Sequence, residues 1–481
     1  MTELHYLSAT EALARFRARD LSPVELLDAV IARAEEVEPT VNALCHTRYE
    51  EARTAAGESE ARYLGRGGGA PRALEGIPLA IKEEEAVAGQ PWTHGSLLYA
   101  DVVADRSSTI ARRMLDSGAV VHARTTAPEF SCALFTHSRL HGVTRNPWNP
   151  AFGAGGSSGG AGASLAAGTA TLASGSDIGG SIRAPASFNG VVGFKPPYGR
   201  VPVDPPFNLD VYCHSGPLAR TVADTALFEN VLAGPDPVDV ATLRPKLELP
   251  LTFGGIEGLR IAVSVDLGSW PLDPEIRANT LAVADALRAC GAHVDSVDLV
   301  VPREKVTLAA AIHFHHGFGA LIEAELARAP ELATAYATRF NGHMAAIAGP
   351  HTAPDGWALE AELYAPVGAL LQEYDALICP TVGTRGYVAG DDYVDHGIEV
   401  DGTALDDYFE ASLTPVFNVM SRLPVLNVPS GFADNGVPTG VQIAGRSYDD
   451  ETVFRIGAAL EVARPWDARP TIASAPQEPA G

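Results

Sequence analysis

Two serines, Ser157 and Ser181, stand 24 residues apart in segments dominated by glycine, serine and alanine, and Lys82 closes the apolar run Gly76-Ile77-Pro78-Leu79-Ala80-Ile81. The chain holds four lysines (82, 195, 246 and 305) among 35 basic residues, so the other 31 are arginines. In so arginine-rich a chain, a lysine at the end of an apolar run asks for a chemical reason. Arginine keeps its proton at any working pH, whereas a desolvated amine can give its proton up and act as a base. Two hydroxyls and such an amine are the minimum set for a hydrolase that activates serine without histidine.

The first serine segment is Gly153-Ala154-Gly155-Gly156-Ser157-Ser158-Gly159-Gly160. Alone it would suit a flexible linker. A helix-compatible run of small residues follows from Ala161 to Ala173, with Leu165 and Leu172 in it. Side chains this small let a helix backbone approach a sheet closely, which places the octet in a core. The pattern G-x-S-x-G occurs twice, but a nucleophile elbow needs a buried strand directly before it, and Asn146-Pro147-Trp148-Asn149-Pro150 cannot form one. No Gly-Lys-Ser/Thr occurs, which excludes a Walker A loop.

The second segment is Ser174-Gly175-Ser176-Asp177-Ile178-Gly179-Gly180-Ser181-Ile182-Arg183. Paired glycines ahead of a serine allow consecutive backbone N–H groups to converge on one point, as an acyl-transfer oxyanion requires.

These segments need a scaffold that holds them together. The first sixty residues read as helices: Ser8-Ala9-Thr10-Glu11 and Ser22-Pro23-Val24-Glu25 both fit a capping box, and Leu26, Leu27, Val30 and Ile31 follow at helical spacing. A glycine-rich loop near 65–71 separates this lead from the body. Short apolar runs at 77–81, 119–123, 259–263 and 376–380 alternate with helices near 108–117 and 273–290, and residues 305–372 read as mainly helical. This alternation predicts an α/β fold with helices on both faces of the sheet.

A net charge of −24 argues against direct nucleic-acid binding, which needs clustered basic residues. No stretch nears the roughly 18 apolar residues of a membrane span, and the N-terminus lacks a signal-peptide pattern. Five scattered cysteines (45, 132, 213, 290 and 379) fit reduced thiols in a cytoplasmic protein. Cys132 and Cys213 have no base partner in sequence and read as inert.

The motifs Gly76 to Lys82, Gly155 to Gly160 and Asp177 to Arg183 resemble the amidase signature family. So do Gly193-Phe194-Lys195-Pro196, the run from Gly216 to Asp224, Leu423-Pro424, and Gly440-Val441-Gln442. The resemblance covers most of the chain and implies one large mixed β-sheet covered by helices on both faces. Residues 1–64 read as a helical lead packed on the body, 65–466 as the catalytic domain, and the Pro- and Ala-rich 467–481 as a poorly ordered tail. The resemblance also implies Ser181 as nucleophile, Ser157 as a bridging serine after a cis peptide, and Lys82 as base. The backbone N–H groups of Ile178, Gly179, Gly180 and Ser181 would form the oxyanion hole, with Asp177, Arg183 and Ser158 in support.

No cofactor or metal is expected. The expected substrate is a small carboxylic amide, ester or carbamate, with aryl amides attractive because an anilide leaves easily. The rival reading is the A subunit of a glutamine-dependent tRNA amidotransferase. A non-enzymatic binding module should have lost Lys82, Ser157 or Ser181, and all three are present. The sequence leaves a homodimer open. Phe152, Gly153, Phe130, Leu134 and His214 are candidate pocket residues by proximity in sequence. His313-Phe314-His315-His316 reads as helix packing or pocket lining rather than a metal site. Glu83, Glu84 and Glu85 directly follow the lysine, and nearby carboxylates favour a charged amine. Glu84 and Glu85 are therefore expected to face solvent or other cations.

Overall fold

The computed structural model describes residues 3–472. Ten strands form one sheet: β1 (Pro78–Lys82), β2 (Val120–Thr125), β3 (Leu172–Asp177), β4 (Val192–Lys195), β5 (His214–Ala219), β6 (Arg260–Val263), β7 (His293–Ser296), β8 (Ala376–Pro380), β9 (Val425–Phe432) and β10 (Pro438–Gly445). Their spatial order is β2-β1-β3-β5-β4-β9-β10-β8-β6-β7. The two flanks, β2-β1-β3 and β8-β6-β7, are parallel, and the pairs between them are antiparallel. The large mixed sheet matches the expected fold class.

Strand alternation explains why both faces are covered. Leu79 and Ile81 pack with Leu13, Phe16, Met114 and Phe228 from helices Ala9–Ala18, Thr109–Asp116 and Val222–Leu232. Ala80, between them, faces Ala161, Leu165 and Ile182 on the other side. Each large side chain buried this way contributes about 1.5–3 kcal/mol.

The N-terminal helices start where capping chemistry allows. Ser22 and Glu25 form the reciprocal capping box of helix Pro23–Val41, whereas Ser8 accepts the Glu11 N–H at the start of Ala9–Ala18. Between helices, Cys45 N–H donates to the Arg124 carbonyl and Arg48 N–H to the His122 carbonyl, so the edge strand β2 is covered.

Helix Gly159–Ala167 is the small-residue helix anticipated after Ser157. A methyl group at Gly160 would collide with the Thr126 N–H, which is why this helix carries no bulk on that side. The 305–372 region is helical throughout most of its length: Arg303–His316, Phe318–Leu326, Ala335–Ala348 and Ala353–Glu373.

The expected tail lies partly outside the described residues, from 473 onward. Residues 467–472 form no helix or strand, yet the Arg469 guanidinium sits 4.8 Å over the Tyr6 ring and Ile472 packs near Val37 and Ala163. Among the described residues no helix is long and apolar enough to cross a membrane.

Candidate active site

Lys82 ends β1 with its side chain fully buried. Its Nζ donates to Ser157 Oγ at 2.7 Å and to Ser176 Oγ at 2.8 Å. Ser174 and Ser176 are two residues apart on β3 and so point to the same side of the strand. The first accepts the Lys82 backbone N–H at 3.0 Å, and the second meets the amine.

Ser157 follows a cis peptide bond from Gly156. Its neighbour Ser158 donates its backbone N–H to the Ser181 carbonyl at 3.1 Å, which ties the two serine segments together. The Ser181 hydroxyl makes no hydrogen bond to Ser157 or to any other described group. Lys82 and Ser157 are therefore already joined, while Ser181 is placed beside them with its hydroxyl unengaged.

The turn before Ser181 is built on Asp177. Its carboxylate accepts the N–H of Gly180 at 2.9 Å and of Ile182 at 3.2 Å. Arg183 returns a two-point contact, Nε to Oδ2 at 2.9 Å and Nη2 to Oδ1 at 2.8 Å. The guanidinium also donates to the Thr414 carbonyl, to Gln442 and to Asn418. Burial alone would raise the Asp177 pKa, but Arg183 and Asn418 hold it well below the usual carboxylate range. A buried ion pair this fully hydrogen-bonded fixes geometry.

Gly180 has φ +126°, and a side chain there would run into Thr414, so only glycine fits. The Gly180 N–H, one of the four donors expected for an oxyanion hole, is taken by the Asp177 carboxylate. Among the described residues, the N–H groups of Ile178, Gly179 and Ser181 have no protein acceptor.

A family model described as Amidase matches residues 25–454 of the chain. The chain belongs to the amidase signature family.

Relatives of this family member include both amidotransferase subunits and acylamidases. The A subunit of the glutamyl-tRNA(Gln) amidotransferase from Chloroflexus aggregans is 33% identical over 98% of this chain and 99% of its own. An acylamidase of Rhodococcus erythropolis is 32% identical over 98% of both chains. Among solved structures, a bacterial aryl acylamidase of the same family superposes with a TM-score of 0.88 at 30% identity, covering 96% of this chain and 97% of its own.

Within this amidase-family site, the acidic triplet behaves differently from the expectation. Glu84 turns toward the lysine: its Oε2 lies 3.1 Å from Lys82 Nζ and accepts from the Ser131 hydroxyl. Burial would raise its pKa, but the nearby lysine charge brings it below the ordinary value. Glu85 accepts from Ser108 at 2.7 Å, and burial together with the Glu84 charge pushes its pKa up to about 7. Glu84 faces Lys82 itself, whereas Glu85 is half-buried with the Arg124 charge near it. The physical reason is tertiary: Ser131 and Ser108, distant in sequence, supply the donors that draw these carboxylates inward. Glu83, fully buried, accepts the N–H groups of Thr93 and Gly95.

The candidate pocket residues disperse. His214 is buried on β5 behind the turn, with Nδ1 3.1 Å from the Asp177 carbonyl and Nε2 3.2 Å from that of Ser421. Burial and nearby Lys195 push its pKa down to about 3. It packs behind the turn, held between the Asp177 and Ser421 carbonyls. Phe130 sits among His94 and Tyr99, and Leu134 is buried in an aromatic cluster with Phe135 and Tyr336. Phe152 bridges Val388, and Gly153 N–H donates to the Tyr387 carbonyl.

The rings that cover the glycine turn come from elsewhere. A methyl placed on Gly179 would lie 3.1 Å from Phe409 and 3.3 Å from Phe314. Beyond Phe409 a cleft opens, lined by Cys132, Phe340, His343, Met344 and Tyr408 among others. Nothing local in the sequence marks Phe409, whereas Ser176 could have been found from its two-residue spacing to Ser174. His313 stacks on Tyr212 at 3.7 Å and pairs with Asp210 at 2.7 Å, a packing role as expected.

Proposed function

We propose that this chain is a free-standing amidohydrolase that cleaves small carboxylic amides through an acyl-enzyme on Ser181. The observation that carries the reading is the buried Lys82 Nζ at 2.7 Å from Ser157 Oγ, next to a glycine turn with unengaged N–H groups. The unengaged Ser181 hydroxyl turns onto Ser157 and attacks the carbonyl carbon. Its proton moves to Ser157 Oγ while the Ser157 proton moves to Lys82 Nζ. The N–H groups of Ile178, Gly179 and Ser181 receive the developing oxyanion. The same relay returns a proton to the leaving amine, and water then hydrolyses the ester to release acid and Ser181.

Aryl amides are the favoured class, with aryl esters and carbamates as chemical relatives. The support is the pair Phe314 and Phe409 against Gly179, together with the 0.88 TM-score to an aryl acylamidase. A second reading, the A subunit of a glutamine-dependent tRNA amidotransferase, has support from the 33% identity to such proteins. The net charge of −24 favours the free-standing enzyme.

The test is a panel of nitroanilides, nitrophenyl esters, nitrophenyl carbamates, glutamine and asparagine on wild type and Ser181→Ala. Turnover of anilides that disappears in the variant supports the amidohydrolase. Turnover of glutamine alone replaces it with the amidotransferase reading.

A further inference from the structure

Cys45, His46 and His141 bring one thiol sulfur and two imidazole nitrogens to within 4.8 Å of one another, and none of the three is assigned a part in the reaction. The first two lie in the segment that covers β2, where Cys45 N–H donates to the Arg124 carbonyl and Leu44 bridges Thr125. His141 lies between the short strands His137–Ser138 and Gly142–Val143, and Asn42 Nδ2 holds its carbonyl at 2.7 Å. The two imidazole rings meet edge to face at 5.2 Å between centroids.

Three features point to a ligand there. His46 Nε2 is a buried nitrogen without a hydrogen-bond partner. The Thr93 hydroxyl gives its one proton to Glu83, so its 3.3 Å contact with His141 Nε2 makes that nitrogen the donor and leaves Nδ1 with the lone pair. With a second-layer oxygen orienting the ring in this way, Nδ1 would be the His141 ligand atom. Each of the three residues is only half-buried, which places the cluster near the surface.

We propose that Cys45, His46 and His141 form a binding site for a zinc-type divalent cation, with water in the fourth position. One thiolate and two imidazoles are ligands of the borderline-soft kind that zinc takes in tetrahedral geometry. Zinc–ligand bonds of about 2.0–2.3 Å require the three atoms to close by roughly 1 Å from their present spacing. Burial raises the Cys45 thiol well above its ordinary value, so it holds its proton until metal arrives. Binding then forms the metal–sulfur bond and releases one proton to solvent. Arg124 is the cation, and Glu83 and Glu38 the anions, acting on the cluster. The ion would pin the 137–143 hairpin to the N-terminal segment and take no part in amide cleavage.

The test titrates the chelator-stripped full-length chain with Zn2+ and, in parallel, with Co2+. The expected result is one Zn2+ per chain, about one proton released per ion, and a cobalt–thiolate charge-transfer band. Cys45→Ser should remove the band and weaken Zn2+ binding by at least about 100-fold, and His141→Gln should weaken it by at least about 10-fold. Melting curves check that both variants are folded. The paired change His315→Ala and His316→Ala, at the other histidine cluster, should leave binding unchanged. The proposal is overturned if wild type gives no cobalt–thiolate band, if the band survives in Cys45→Ser, or if Zn2+ affinity follows His315 and His316 instead.

Discussion

Glu84 places a carboxylate oxygen 3.1 Å from the Lys82 amine, inside the same pocket that holds Ser157 and Ser176 against that nitrogen. The lysine charge lowers the Glu84 pKa, so the two side chains are coupled electrostatically. Glu84→Gln removes that charge with little change of shape. The acid limb of the kcat/KM profile should move to lower pH by about 1–3 units. A limb that stays in place, in a folded variant, means that Glu84 does not govern the base.

Lys82→Ala, Ser157→Ala and Ser181→Ala should each lower kcat/KM by about 1000-fold or more, with folding intact. Because the three act as one relay, the double variants should lose little beyond the worse single change. Ser176→Ala, which keeps the Ser157 contact, should cost only about 10-fold. Multiplicative losses in the double variants would break the relay into independent parts.

Asp177 and Arg183 form the buried pair under the turn, so Asp177→Ala leaves an uncompensated guanidinium and should destabilise the fold by about 3–5 kcal/mol. The carboxyl pKa is lowered in the folded state, so its contribution is complete above the unfolded value of about 3.9 and is lost as pH falls below it. Urea midpoints between pH 2 and pH 7 should therefore fall less steeply on acidification in Asp177→Asn than in wild type.

Glu85 has the opposite sign. Its folded pKa is raised to about 7, so the stability it contributes is full below its unfolded value and is lost as pH rises through about 7. Glu85→Gln should flatten the stability profile across that window, measured by melting temperature from pH 5 to pH 8.

Phe409 and Phe314 close on the glycine turn, and shortening either enlarges the space next to the scissile carbonyl. Phe409→Ala should shift the kcat/KM ratio between aryl and small aliphatic acyl groups by about 10–200-fold, mainly through KM. An unchanged ratio would move the specificity wall elsewhere.

The strand ending at Lys82, the small-residue helix after Ser157 and the glycine turn before Ser181 were legible because each is written locally. An apolar run, a lack of bulk and paired glycines need no distant partner to be recognised. Composition and alternation also determined the α/β class. The fate of the acidic triplet was not legible, since Ser131 and Ser108 draw Glu84 and Glu85 inward from 47 and 23 positions away. The surroundings of His214 were not legible for a related reason: nearness in sequence to the motifs said nothing of which side of the sheet it occupies.

Local order in the chain thus determined which hydroxyls and which amine are available, and which backbone can expose its N–H groups. Tertiary structure alone decided what surrounds them: Glu84 on the amine, Asp177 occupying the Gly180 N–H, and Phe409 over Gly179. Those contacts depend on packing between segments far apart in the chain, and the free energy of such contacts resides in distances that no single stretch of sequence encodes.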